Sequence, residues 1–126
     1  MIDNTFGAPV AEKLNDLGAV TAKTTKEYGF SENAHDDFII NKLRDTKHLL
    51  LTHDYNTINE RKYPACSHGG IILIMNRRWT VETIHEDMKA FCKSGFRKHA
   101  PHCVTRLYRK KAIIFQHENE RLEIDF

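Results

Sequence analysis

Two short runs that are apolar at every position, Leu49-Leu50-Leu51 and Ile71-Ile72-Leu73-Ile74-Met75, constrain the fold of this chain more than any other feature. A strand points successive side chains to opposite faces, so a run that is apolar throughout must be covered on both. That requirement predicts a parallel sheet held between helices. Helical stripes stand on either side of the runs. Val10, Leu14 and Leu17 recur at helical spacing, with Pro9 in the tolerated first turn and Gly18 as a stop. Ile39, Ile40 and Leu43 follow Asp36-Asp37. Val81, Ile84, Met88 and Phe91 follow Thr80, the expected N-cap, with Glu82 in the first turn. Ile2 and Ala19-Val20-Thr21 read as two further, shorter strands. Ala112–Phe115 and Leu122–Phe126, separated by His117-Glu118-Asn119-Glu120, read as a hairpin. The alternation predicts a three-layer α/β/α sandwich with a central, mostly parallel sheet and the C-terminal β-hairpin at one edge.

The 126 residues suit a single domain over 1–126, without repeats or a linker. No apolar run approaches the roughly 20 residues that span a bilayer, and no basic-then-apolar signal pattern opens the chain. Three cysteines without a Cys-x-x-Cys motif do not make a disulfide framework. The expectation is a cytoplasmic protein of a reducing compartment, with no membrane partner. Net charge is only +2, but it is unevenly spread. Residues 1–63 hold ten acids and eight Lys/Arg, whereas 64–126 hold seven acids and eleven Lys/Arg. From Met88 to His117 there is no acid at all. A basic back half hints at a polyanionic partner, although a solvated basic face explains the same counts.

Asp3 follows Ile2, and Asp54 follows the Leu49–Thr52 run. In open α/β sheets the C-terminal edge of the strands is where ligands bind. Asp36 and Asp37 open the second helix, which that topology brings to the same rim. Separated carboxylates that meet repel one another unless a hard divalent cation neutralises them. A plainer reading stands beside this one: Asp is a preferred N-cap, and Asp36 and Asp54 both precede expected helical segments. Spacing alone does not decide between them.

The segments Ile2-Asp3-Asn4, His35-Asp36-Asp37-Phe38-Ile39-Ile40 and Leu49-Leu50-Leu51-Thr52-His53-Asp54-Tyr55-Asn56 resemble, in order, the motifs of stand-alone PIN-like nucleases. Those proteins place an Asp after the first strand, an acid at the start of a middle helix, and a Thr-x-Asp-x-Asp-like motif after a central strand. The Gly69–Ile74 strand and the closing hairpin fall in the same order. The resemblance covers residues 2–75 most closely. It implies a ribonuclease dependent on Mg²⁺ or Mn²⁺, of the kind found as the toxin of a toxin–antitoxin pair or in RNA processing. It further implies that Asp3, Asp36 and Asp54 hold the metal, that Asp37 is the alternative to Asp36, and that Thr52 supports the acids through its hydroxyl. Asn56 stands where a further Asp is common and Asn4 where Glu is common; both changes remove negative charge, while Asn56 keeps a carbonyl oxygen with which to act as a neutral fourth contributor to the site. The alternative function is therefore a catalytically weakened PIN-like module that binds RNA or another protein. Implied partners are single-stranded or structured RNA, an antitoxin, and a second copy of the chain.

Arg77-Arg78-Trp79 follows the second run and belongs at the same rim. Arginine grips phosphate bidentately and tryptophan stacks on an unpaired base, though Trp79 serves equally well as a packing staple over the third helix. With Lys93, Arg97 and Lys98, these residues form the expected RNA-binding set. His35 and His53 adjoin the acids and have the chemistry of a general base or a ligand. Cys92, His99, His102 and Cys103 carry zinc-ligand chemistry at a spacing unlike that of the usual structural sites. A phosphorelay receiver domain fits less well. It expects a Ser/Thr after its fourth strand, where Met75-Asn76 stands, and a Lys-Pro that this chain lacks.

Overall fold

The computed structural model describes residues 2, 7–15, 17, 29–31, 35–44, 48–117 and 120–126. In chain order the elements are α1 (Gly7–Asn15), α2 (Asp36–Leu43), β1 (Leu50–Thr52), β2 (Ile71–Ile74), α3 (Val81–Lys93), a 3₁₀ turn (Phe96–His99), β3 (Val104–Leu107), β4 (Lys111–Phe115) and β5 (Arg121–Asp125). The five strands form one mixed α/β sheet in the order β1-β2-β3-β4-β5. β1, β2 and β3 are parallel, and β3, β4 and β5 are antiparallel. Ile2 makes a parallel bridge to Leu51, the residue that also faces Ile72 across β2. The expected strand at Ala19–Thr21 and the helix stop at Gly18 lie outside the described residues.

The all-apolar runs behave as their composition requires. Leu51, Ile72, Ile74 and Leu107 turn to one face and are buried with Val10, Leu14, Ile84, Met88 and Phe91 of α1 and α3. Leu50, Ile71, Leu73 and Val104 turn to the other and are buried with Ile39, Ile40 and Leu43 of α2. The crossover between β1 and β2 adds Ile58 and Tyr63 to that second cluster.

Helix direction follows from two close approaches at the start of β2. Leu43, the last residue of α2, lies against Gly69: a Cβ there would sit 2.5 Å from the Leu43 carbonyl oxygen. At the end of α3, the chain returns past the same point, where His102 N–H donates to the Gly69 carbonyl at 2.9 Å. Both helices therefore run antiparallel to the strands. The start of α2 and the start of α3 are directed toward the C-terminal strand edge.

Thr80 and Thr83 form a reciprocal capping box that fixes where α3 begins. Asp36 and Asp37 occupy the first turn of α2, where the helix dipole favours them, and His35 rather than an aspartate is the N-cap. The helical segment expected after Asp54 is a series of turns instead. Asn59 Oδ1 accepts from the backbone N–H groups of Arg61 and Lys62, at 3.1 Å each, offering that backbone an alternative to helix. One strand was not foreseen, β3. Its short Val-Thr-Arg-Leu sequence lies in a basic stretch, yet Thr105 is fully buried and Arg106 packs over the Phe115 ring at 5.2 Å.

Candidate functional site

The C-terminal edge of the parallel strands is built from the loops that leave β1 and β2. Thr52 closes β1 and is fully buried. Its Oγ1 accepts from the Asp54 N–H at 3.3 Å, so a buried hydroxyl fixes the backbone of the acid two residues on. The Asp54 carbonyl accepts from Ile58 N–H at 2.9 Å, and Ile58 is itself fully buried. Asp54 is thereby anchored on both sides while its side chain stays half-exposed. Asn56 follows, exposed.

Residues from the β2 loop pack against this segment. Arg77 Nε donates to the Tyr55 hydroxyl at 2.7 Å, leaving its Nη donors outside that bond. The Trp79 ring lies 5.5 Å from the His53 ring. Trp79 also packs on the core beside α1 and α3, so it serves as a staple and as a rim residue together. Arg78 is exposed, and its N–H donates to Asn76 Oδ1 at 3.0 Å.

Of the two acids at the start of α2, Asp37 is committed elsewhere. The Tyr63 hydroxyl donates to its Oδ1, and Lys62 Nζ lies 3.6 Å away. The Tyr63 hydrogen bond holds the Asp37 carboxyl below the usual carboxylate range, and Lys62 adds to the effect. Neither partner was legible as such, because Tyr63 is 26 positions away and only the folded crossover returns it to α2. Asp36, half-exposed, occupies the first helical position beside it.

Asp3 lies outside the described residues. Among the described residues no group of three His, Cys, Asp or Glu side chains is close enough to hold a metal ion. The array of Cys92, His99, His102 and Cys103 is accordingly not gathered. His102 Nδ1 instead donates to the His68 carbonyl at 2.8 Å, and all three cysteines are free thiols. His68 is buried at the start of β2, away from the rim, where its Nε2 donates to the Tyr63 carbonyl at 3.0 Å. Burial pushes the His68 imidazole below its ordinary pKa.

The expected RNA-binding set is divided by the direction of α3. Arg77, Arg78 and Trp79 precede the helix at the rim, whereas Lys93 ends it and Arg97 and Lys98 lie in the 3₁₀ turn beyond. Thirteen residues of helix separate the two groups, about 20 Å. No family model, no curated protein and no solved structure matches this chain.

Proposed function

We propose that the chain is a PIN-like ribonuclease whose site lies at the C-terminal edge of β1 and β2. The observation that carries the proposal is the anchoring of Asp54. A buried threonine hydroxyl and a buried isoleucine turn hold its backbone, and no described side chain bonds its carboxylate. A half-exposed acid held in place, with no partner among the described side chains, is suited to a ligand. Asp36 heads a helix directed to the same edge, and Asp3 is the next residue in sequence after Ile2, which is bridged to β1.

In this reading Asp3, Asp36 and Asp54 would hold Mg²⁺ or Mn²⁺, since all three offer the hard oxygen donors those ions take. When bound, the ion supplies an activated water and stabilises charge on the phosphoryl group. The chain's own residues do the rest. Arg77, steadied by Tyr55, offers guanidinium N–H groups to a phosphate. Trp79 presents a ring on which a base stacks. Thr52 keeps Asp54 in register with both. The finer architecture, a three-layer sandwich of PIN-like type, is part of the same proposal and is supported by helices packed on both faces of β1 and β2. A toxin of a toxin–antitoxin pair and an RNA-processing enzyme are the biological roles that fit.

The deciding experiment is cleavage of single-stranded and structured RNAs with Mn²⁺, Mg²⁺ or EDTA, comparing wild type with Asp54→Asn. Metal-dependent cutting that disappears in the variant is the expected result. Cutting that persists in EDTA, or in Asp54→Asn, would sink the proposal. A second reading, a binding module without catalysis, is favoured by Asn56, exposed beside Asp54 where a further acid would add the negative charge that divalent cations require. It predicts RNA binding without turnover under every metal condition.

A further inference from the structure

A groove of about 480 Å³ runs between α1 and α3, lined by Lys13, His85, Lys89, Lys93, Arg97 and a floor of Leu17 and Cys92. No carboxylate is among the described lining residues. Of the nearby acids on α3, Glu86 and Asp87 are held by Arg109, at 2.9 and 3.0 Å, and Glu82 stands one turn before His85. His85, Lys89 and Lys93 recur every four residues along one face of α3, and Arg97 follows at the same interval in the 3₁₀ turn. Four residues of helix rise about 6 Å, so the groups along α3 form an evenly spaced row. Lys13 faces that row from α1. An evenly spaced row of positive groups complements a linear polyanion with a regular charge repeat, and a folded acidic surface does not present one. The row starts one turn beyond Trp79 and the Thr80 cap, at the rim already described.

We propose that this groove is a track for the phosphate backbone of single-stranded RNA leading away from the rim, with Lys13, His85, Lys89, Lys93 and Arg97 as its contacts. The proposal rests on the nuclease reading for its direction, and adds a binding path along α3 to it. Among the described lining residues the one aromatic ring is the His85 imidazole, so the groove grips chiefly the backbone, and the large stacking surface is Trp79 at the rim. Binding along it is therefore tolerant of sequence and sensitive to salt.

The test is fluorescence anisotropy with labelled oligouridylates from about 4 to about 16 nucleotides. It is done in EDTA, so that metal-dependent cutting does not interfere. Affinity should rise with length and then level off once the track is filled. Lys89→Gln/Lys93→Gln removes two phosphate contacts and should flatten the slope of log K against log salt by about 1.4, a loss of about 25-fold at 0.1 M salt relative to 1 M. Lys42→Gln, on α2 across the sheet, is the control and should bind as wild type does. Unchanged affinity and slope in the double variant would overturn the track. So would preferential binding of a glutamate-rich peptide over RNA, which would assign the groove to a protein partner. The two proposals fail separately. Cutting that persists in EDTA or in Asp54→Asn, with binding weakened by the double variant, sinks the nuclease reading and leaves the track standing, and metal-dependent cutting with an insensitive groove removes the track alone.

Discussion

Asp87 is the residue at which pH should act most clearly on stability. It lies on α3, only 2% exposed, and its Oδ1 accepts from Arg109 at 3.0 Å while Oδ2 is buried without a partner among the described residues. Burial pushes its carboxyl up from the ordinary 3.8 to about 6, against the downward pull of Arg109. A raised carboxyl favours the folded state while it is protonated. That stabilisation is complete below pH 3.8 and is lost as pH rises through 6. The shift corresponds to about 3 kcal/mol. Asp87→Asn keeps the shape and removes the charge, so at alkaline pH it should recover most of that penalty. Its NH₂ group replaces an oxygen without a partner and costs about 1 kcal/mol. The net expectation is a variant about 1 kcal/mol less stable than wild type at acid pH and about 2 kcal/mol more stable at pH 8. Urea unfolding followed by the fluorescence of the single Trp79 measures the difference directly. If Asp87→Asn were less stable at pH 8, or if the difference did not vary with pH, the Arg109 pair would outweigh burial and the reasoning would be wrong.

Two further predictions concern α2. Tyr63→Phe removes the main cause of the lowered Asp37 pKa, so the Asp37 carboxyl should titrate closer to 3.8; a carbon-detected NMR titration that shows no movement would refute the hydrogen bond. Gly69→Ala places a methyl 2.5 Å from the Leu43 carbonyl oxygen and must push the end of α2 off the sheet. A loss of about 1–3 kcal/mol in urea unfolding is expected, and a neutral result would mean that α2 does not end there.

Periodicity carried the three helices, β1, β2 and the closing hairpin, because apolar spacing responds directly to which face is covered. It failed at β3, where Arg106 and Thr105 look like surface residues. The neighbours of Arg106 are the Phe115 ring on the adjoining strand and Glu60, 46 positions away, and neither contact shows in local spacing. The same limit applies at the site. Asp54 was legible because a strand end and a threonine two residues earlier are local features. The commitment of Asp37 to Tyr63 was not, since it depends on a tyrosine brought in by the crossover. The division of the basic residues was also hidden, because spacing along a helix does not reveal which way the helix runs past the strands.

The order of the sheet has a consequence for how the chain assembles during synthesis. Each strand from β2 to β5 pairs with the strand immediately before it in sequence. None has to be inserted between two strands already in place. Growth from the N-terminus can add each strand to the free edge left by the last, with contacts of short sequence separation from β3 onward. Among the described residues β5 is an outer strand of the sheet, and Arg121, Glu123 and Asp125 are exposed along it. Charges on an edge strand discourage further pairing, so the strand added after the closing turn also guards that edge against recruiting another chain.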